Sequence, residues 1–373
     1  MTEQNPRSGR IVLFGATGYT GELVARAMAK RGMRPVLAGR RREAVGALAS
    51  ELGGLEATTA DVADPATVRA LVERGDVLVS TVGPFARWGD AALDSAIDAG
   101  AHYVDSTGEP PFVRKVFERG GPRAEEAGSL LLTAMGYDWL PGNLTGGLAL
   151  NEAGDAATAV RIGYFTKGGG LGGMSGGTRA SAVGALIEPS FHFRGGRVVT
   201  ERGAHSVHEF DFGGRTKPGI SVGTSEAFSL PRAFPNVRDV EVYLGWFGGA
   251  SRPIQAFSLV GAGVAKLPGV TTLMNAGAER FVKTSTGGPD EAARAATGSR
   301  FVAEALGASG EVLATVRTEG VNGYTFTGEA LAWAAERIAA GDSEGAGALG
   351  PVEAFGLDAL EAGVAECGIS RVS

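Results

Sequence analysis

The sequence lacks three features that would indicate a secreted or membrane-spanning protein. It has a single cysteine, Cys367, among 373 residues, so no disulfide can form within the chain. The first ten residues lack the apolar core of a signal peptide. The most apolar later stretch, residues 256–278, is interrupted by a lysine, a proline and glycines, and it never reaches 18 uninterrupted apolar residues. We therefore expect a cytoplasmic protein without a stable membrane span.

The chain also has no excess of basic residues and few metal ligands. It has 35 Lys and Arg against 41 Asp and Glu, a net charge of −6, and no long basic stripe, which argues against a nucleic-acid partner. Of its 4 histidines, His205 and His208 are three apart in an alternating stretch, where such side chains point to opposite faces. We therefore expect no metal site.

Glycine is what the chain has in excess. Its 60 glycines are twice the usual share of roughly 7%, and they must mark loops and close backbone contacts. The length exceeds what one hydrophobic core normally fills, so we expect two domains.

From Arg10 to Asp138, short apolar runs alternate with helical patterns, which is typical of successive βα units. The apolar run within residues 76–80 indicates a parallel strand covered on both faces. This region predicts a Rossmann-type α/β domain with a doubly wound parallel sheet. The predicted strands are 10–14, 34–39, 56–61, 76–82, 102–106 and 129–135.

After Asp138 the pattern changes to period-two alternation, which predicts strands with one solvated face. Examples are residues 196–200, 206–210 and 239–243. We expect an inserted α+β domain with a mixed or antiparallel sheet. Helices predicted over 329–340 and 351–363 would return to the first domain. The predicted domains are therefore 1–140, 141–325 and 326–373.

A glycine-rich turn, FGATGYTGELV at residues 14–24, follows the first predicted strand directly. A diphosphate needs backbone N–H groups at close range and a helix N-terminus, and glycines allow that approach. Gly15 would make the turn, Gly18 would admit the phosphates and Gly21 would let the helix pack on the strand. The predicted dinucleotide loop consists of Gly15, Thr17, Gly18, Tyr19, Thr20 and Gly21.

The end of the second strand decides which coenzyme binds. An acidic side chain there would contact a ribose 2′-hydroxyl, whereas arginine would contact a 2′-phosphate. The sequence has Arg40, Arg41 and Arg42 and no acid until Glu43, so it predicts NADP(H). Further contacts are predicted from the ends of the third and fourth strands. They are Asp61 and Val62 beside the adenine, and Thr81, Val82, Gly83 and Pro84 towards the nicotinamide.

Several motifs occur together in a characteristic order: GATGYTG (15–21), AGRR (38–41), STVGPF (80–85), HYVDSTGE (102–109) and GYDWLPGNL (136–144). In them the chain resembles the saccharopine dehydrogenase-like superfamily, especially its branch of trans-acting enoyl reductases. The resemblance continues through residues 172–183 and 350–356. It implies an NADP-binding Rossmann domain, an inserted α/β domain, and reduction of a C=N or a conjugated C=C bond.

The chain departs from that family after the GYD element. Relatives usually carry a serine there and a serine-aspartate after the proline, whereas this chain has Trp139 and then Gly142 and Asn143. The departure would put a bulky aromatic beside the nicotinamide pocket, and it leaves the substrate open.

Candidate catalytic residues follow the sixth strand. Tyr137 and Asp138 lie at the carboxyl edge of the predicted sheet, where substrates bind in this fold, and Tyr137 is our candidate proton donor. No YxxxK motif occurs, which argues against short-chain dehydrogenase chemistry. Ser175 lies in a GxSxG motif but follows glycines rather than a strand, which argues against a nucleophile elbow.

Three functions remain open at this point. The first is an NADPH-dependent reductase of the C=C bond in an acyl or polyketide-like intermediate, small or carrier-bound, acting as a homodimer. The second is an imine reductase that would bind a carboxylate at the glycine-rich loop of residues 168–177. The third is a non-catalytic NADP-binding module.

Overall fold

The computed structural model describes residues 9–168, 189–212, 214–264 and 287–372. The strands in these ranges are β1 (Ile11–Phe14), β2 (Val36–Gly39), β3 (Ala57–Thr59), β4 (Val77–Ser80), β5 (His102–Asp105), β6 (Leu130–Leu132), β7 (Ala159–Lys167), β8 (Pro189–Arg194), β9 (Arg197–Arg202), β10 (Val207–Asp211), β11 (Thr216–Val222), β12 (Asp239–Leu244), β13 (Gly298–Leu306), β14 (Val312–Gly320), β15 (Gly347–Ala348) and β16 (Ile369–Val372).

The α-helices of the same ranges are α1 (Tyr19–Lys30), α2 (Arg42–Glu51), α3 (Pro65–Arg69), α4 (Phe85–Ala99), α5 (Pro110–Lys115), α6 (Gly121–Ala127), α7 (Leu140–Ala153), α8 (Glu226–Ala233), α9 (Ser251–Val264), α10 (Glu291–Ala295), α11 (Gly323–Ala340), α12 (Pro351–Phe355) and α13 (Leu357–Glu366). No helix in the described part of the chain has the length and apolar character needed to cross a membrane.

The chain divides into two compact units. The first comprises Met1–Thr107, Phe112–Asp138 and Tyr324–Ala359, and the second comprises Gly108–Pro111, Trp139–Gly323 and Leu360–Ser373. The main changes of unit, after Asp138 and Gly323, lie close to the boundaries predicted at 140 and 325.

Residues 326–373 were expected to belong with the first unit. The end of the chain instead lies in the second unit. Strand β16 pairs antiparallel with β14, and its Ile369 is buried. The physical reason is that β14 offers backbone N–H and C=O groups along one edge, and an added strand satisfies them.

The first unit is built on a parallel sheet with strand order β15-β6-β5-β4-β1-β2-β3. This is the order of a doubly wound fold with one short strand added at an edge, and it confirms the predicted fold class. Phe14 is paired with both Ala38 and Ser80, so β1, β2 and β4 end side by side. The carboxyl edge of the sheet, where ligands bind in this fold, is therefore formed by the loops that follow these strands.

The second unit contains a mixed sheet, as predicted. Its strand order is β10-β11-β12-β7-β13-β14-β16, and the β8–β9 hairpin joins it through β12. Strands β7 and β12 run parallel, whereas β7 and β13 pair antiparallel over nine residues each. The alternating stretches identified in the sequence correspond to β9, β10 and β12.

Helix α7 was not predicted, because it has no polar face. It packs on β7, β13 and β14, and its residues from Leu140 to Leu150 are all buried. A side chain at Gly146 would lie 2.6 Å from Ile162 Cδ1, so this glycine allows the helix to approach the sheet closely. The uniform burial removes the 3.6-residue periodicity from which helices are recognised.

The two C-terminal helical predictions had the right type but the wrong bounds. Helix α11 begins at Gly323, six residues before the predicted start at 329. The helix predicted over 351–363 is two helices, α12 and α13, divided at Gly356, whose φ is +74°. A left-handed residue ends a helix, and glycine adopts that conformation without strain.

Candidate active site

The glycine loop lies between β1 and α1, at the carboxyl edge of the parallel sheet. Gly15 has a φ of +91°, and the N–H groups of Gly15 and Ala16 donate to Ala38 O at 2.9 and 3.1 Å, which anchors the loop to β2. A side chain at Gly21 would overlap the Gly15 carbonyl. Gly21 therefore lets α1 pack against the loop.

Gly18 is different, because space is open beside it. It is the exposed N-cap of α1, and an added Cβ would meet only Gly15 O, at 3.3 Å. The backbone N–H groups of Thr20 and Gly21, in the first turn, donate to no acceptor within the described residues. An exposed helix start with free donors and no Cβ at its cap fits a diphosphate.

The loop after β4 lies beside the glycine loop. Thr81 Oγ1 donates to Gly15 O at 3.2 Å and Thr81 N–H donates to Phe14 O at 3.0 Å, so this residue stabilises the turn through two hydrogen bonds. Val82 is half-buried, whereas Gly83 and Pro84 are exposed ahead of α4. The structure therefore gives Thr81 a structural role and leaves Gly83 and Pro84 open to a ligand.

The arginines predicted to select the coenzyme follow β2. Arg40 and Arg41 are exposed and form no ion pair with any residue in the described ranges, and Arg41 is the N-cap of α2. A Cβ at the neighbouring Gly39 would lie 3.7 Å from Thr17 Oγ1. The arginines therefore follow directly after the point at which the glycine loop lies against β2. Two unpaired guanidinium groups at this point fit a 2′-phosphate.

Asp61 and Val62 lie in the turn between β3 and α3. Asp61 Oδ1 accepts the Ala63 N–H at 2.9 Å, and the Asp61 N–H donates to Thr67 Oγ1 at 3.0 Å. Val62 packs against the core of the first unit. One carboxylate oxygen of Asp61 thus stabilises the turn, and its predicted position beside the adenine stays a prediction.

A buried carboxylate joins the ends of β5 and β6. Asp105 accepts hydrogen bonds from the N–H groups of Thr107 and Ala134 at 2.8 and 2.9 Å and from Thr133 Oγ1 at 2.8 Å. Burial raises the pKa of Asp105 to about 6, against the opposing effect of these hydrogen bonds. Ala134 has a φ of +63°, which is rare for a residue with a side chain. Asp105 therefore holds a strained backbone just before the candidate catalytic residues.

The segment with the candidate catalytic residues is held by α11. Thr327 Oγ1 accepts the Tyr137 N–H at 3.0 Å, and a side chain at Gly136 would lie 2.8 Å from Thr327 Cγ2. The ring of Tyr324, one turn earlier on α11, meets that of Tyr19 edge-on with centroids 5.2 Å apart. The helix therefore contacts both the start of α1 and the segment after β6.

Asp138 ends the first unit and has an unusual environment. Its Oδ1 is buried and has no hydrogen-bond partner among the described residues. Burial raises the pKa of Asp138 to about 7. A carboxyl group with this pKa is partly protonated at neutral pH and can deliver a proton, which an ordinary aspartate does not.

The residues that depart from the family pattern belong to the core of the second unit. Trp139 is buried, and its ring lies edge-on to that of Tyr164 with centroids 5.2 Å apart. Tyr164 Oη donates to Glu226 Oε1 at 2.6 Å and accepts the Gly142 N–H at 2.9 Å. A Cβ at Gly142 would overlap both oxygens. Trp139 and Gly142 thus have packing roles in the second unit.

The structure also gathers residues that the sequence did not bring together. His205 lies beside His192 and Glu201, not beside His208, which contacts Glu304 at 3.1 Å. The pairing of β8 with β9 brings His192 and Glu201 to this place, and no local spacing indicates it. The predictions for Ser175 and for residues 169–177 of the glycine-rich loop lie outside the described residues.

Comparisons with known proteins found a matching family model and curated relatives for part of the chain. Residues 11–132 match the family model of the saccharopine dehydrogenase NADP binding domain. A putative trans-acting enoyl reductase of Mycobacterium tuberculosis is 37% identical over 193 residues, which cover 50% of this chain and 46% of that protein. A trans-acting enoyl reductase of Mycobacterium ulcerans is 35% identical over 144 residues, 37% of this chain and 34% of that protein. The matched region thus spans less than half the length of these curated relatives.

A solved structure matches over nearly the whole chain. It is the apo saccharopine dehydrogenase (L-Glu forming) of Saccharomyces cerevisiae, with a TM-score of 0.61 at 14% identity, covering 98% of this chain and 100% of that one. At this identity the likeness concerns the fold alone.

The fold and the glycine loop define the first unit as a dinucleotide-binding domain of the Rossmann class. The family match makes this class specific: residues 11–132 match the NADP binding domain of saccharopine dehydrogenase, which indicates that the coenzyme is NADP(H).

Proposed function

We propose that the protein is an NADPH-dependent oxidoreductase that reduces the C=C bond of an acyl or polyketide-like intermediate. The observation that carries the proposal is the similarity to two trans-acting enoyl reductases at 35–37% identity, joined to an NADP-binding domain. The names of those relatives favour a C=C substrate over an imine. An acyl group attached to a carrier protein or to coenzyme A is the substrate class that we expect.

NADPH supplies the hydride for such a reduction. The chain's own part is to bind the coenzyme, to orient the substrate and to provide one proton. Thr20 and Gly21 would donate backbone N–H groups to the diphosphate, with Gly18 leaving room for it. Arg40 and Arg41 would bind the 2′-phosphate and so favour NADPH over NADH.

Asp138 and Tyr137 are the proposed catalytic residues. What supports Asp138 is its pKa of about 7, which arises from burial, together with its position after β6 at the carboxyl edge of the sheet. The protonated carboxyl would deliver a proton to the substrate carbon as the double bond is reduced. What supports Tyr137 is its place in the same segment, whose backbone is held by Thr327.

The test is NADPH oxidation by the full-length chain with a panel of unsaturated acyl thioesters on coenzyme A or a carrier protein. The account predicts loss of NADPH absorbance and, by mass spectrometry, a thioester heavier by two hydrogens. Turnover only with an amino acid together with a keto acid would favour the imine reductase instead. NADPH binding without turnover of either panel would favour the non-catalytic module.

The proposal includes a homodimer in the cytoplasm. Among the described residues, the large apolar side chains that are exposed are Val312, Leu313 and Val372, all on the neighbouring strands β14 and β16. A second copy that bound against these two strands would cover these groups. Light scattering coupled to gel filtration would give the mass of two chains, and the mass of one chain would contradict the dimer.

A further inference from the structure

We propose that His192, Glu201 and His205 bind one divalent metal ion of the zinc class in the second unit. The site is independent of the reductase proposal, because all three residues belong to the β8–β9 hairpin and the segment that follows it.

The three side chains form a compact set of ligand atoms. His192 comes from β8, Glu201 from β9, and His205 from the connection to β10. One ligand atom of each lies within 4.8 Å of those of the other two, and the imidazole centroids are 4.4 Å apart. Nitrogen and oxygen ligands of a tetrahedral zinc ion lie about 3.4 Å apart. Side-chain movements of about 1 Å would therefore close the site around an ion.

Two of the polar atoms in this cluster are buried without a hydrogen bond. His192 is 1% exposed, and neither its Nε2 nor Glu201 Oε2 has a hydrogen-bond partner within the described part of the chain. Glu201 Oε2 lies 3.0 Å from His205 Nε2 without the geometry of a hydrogen bond. Buried polar groups are rarely left unsatisfied, and a bound cation would contact both atoms.

A hydrogen bond fixes the tautomer of His205. His205 Nδ1 lies 2.8 Å from Ser221 Oγ, which accepts the Ser206 N–H at 3.0 Å. With Nδ1 donating to Ser221, the lone pair of His205 is on Nε2, the nitrogen that faces Glu201. A hydrogen bond that fixes the tautomer in this way is typical of metal-binding histidines.

Arg194 is a cation that already contacts the side chains of this cluster. Its guanidinium donates to Glu201 Oε1 at 2.5 Å, to Glu241 Oε1 at 3.1 Å and to His205 Nε2 at 3.2 Å. A metal ion would replace only the last of these contacts. Arg194 would remain between the two carboxylates and orient Glu201, so that Oε2 faces the ion. Carboxylates that bind metal ions commonly accept a hydrogen bond from a second protein group, as Glu201 does from Arg194.

The test uses the full-length chain, treated with a chelator and then titrated with Zn²⁺ in a calorimeter. Co²⁺ provides a second probe, because four-coordinate cobalt has a strong visible absorption. The variants are His205→Gln and Glu201→Gln. The control is His208→Gln, which removes a histidine that also contacts a glutamate but lies outside the cluster.

We expect one equivalent of Zn²⁺ to bind to the wild type and to His208→Gln, and at least about tenfold weaker binding in the two cluster variants. Thermal unfolding without metal would show whether each variant is folded, and Zn²⁺ would raise the Tm of the wild type and the control only. The absence of saturable Zn²⁺ binding to the wild type would overturn the proposal. Unchanged affinity in folded cluster variants would do the same.

Discussion

Replacement of Gly18 by alanine tests the account of the glycine loop. The backbone at Gly18 has φ −80° and ψ 163°, an extended conformation that alanine adopts without strain. The added methyl group would contact Gly15 O at 3.3 Å and otherwise project into open space. If a diphosphate binds there, the methyl group occupies its position, and the protein loses affinity for the coenzyme while keeping its fold.

The expected magnitudes separate the two effects. Alanine is a poorer N-cap than glycine, so the free energy of unfolding should fall by about 0.5–1 kcal/mol. Loss of one hydrogen bond to a charged oxygen costs about 1.5–3 kcal/mol, which weakens NADPH binding roughly 10- to 150-fold. The affinity should therefore fall by more than the stability does.

The assay is calorimetric titration with NADPH, with urea unfolding of the same samples. Gly46→Ala is the matched control, because Gly46 lies inside α2 and an added Cβ would have no neighbour within 4 Å. The control should bind NADPH normally and be more stable by about 0.5–1 kcal/mol, since alanine is the better helix former. Wild-type affinity in Gly18→Ala would refute the proposed approach of the diphosphate.

Three further predictions concern the coenzyme, the proton and the core. Arg40→Ala should weaken NADPH binding far more than NADH binding, whereas Arg34→Ala, before β2, should change neither; equal losses for both coenzymes would show that Arg40 does not contact the 2′-phosphate. The turnover rate should fall as pH rises through about 7, because Asp138 must be protonated, and Asp138→Asn should lower the rate and leave the residual rate without this dependence. Since folding raises the pKa of Asp138, the free energy of unfolding of the wild type should also fall, relative to Asp138→Asn, as the pH rises from about 4 to 7. Urea unfolding of both proteins would measure this difference. Gly142→Ala should lower the free energy of unfolding by about 1–3 kcal/mol, and by less in a Tyr164→Phe background, where one of the two clashing oxygens is gone; an equal loss in both backgrounds would show that the Tyr164 hydroxyl does not contribute to the clash.

The parallel sheet could be predicted from the sequence because its signals are local. Each strand of the first unit is a short run of apolar residues, and the connecting helices carry end signals such as Pro65 at the start of α3. The glycine spacing at Gly15, Gly18 and Gly21 likewise describes one turn of backbone. Patterns of this kind need no knowledge of distant parts of the chain.

The remaining features depend on contacts between residues distant in sequence. Helix α7 is buried on all sides, so it lacks a helical pattern, and Gly142 is explained only by Tyr164 and Glu226. The elevated pKa of Asp138 arises from burial, which the dipeptide Tyr137-Asp138 does not reveal. The cluster at His192 depends on the register of a hairpin. The glycine turn is a local structure, so the sequence indicates it, whereas the surroundings of these groups are formed by distant parts of the chain.

The central claim is that the first βα turn binds the diphosphate of NADP(H) and that the arginines after β2 select its 2′-phosphate. Calorimetric titration of the folded, full-length protein with NADPH and with NADH tests it most directly. The account predicts a single site that binds NADPH more tightly than NADH. No detectable heat with either coenzyme at millimolar concentration, or equal affinity for both, would contradict it.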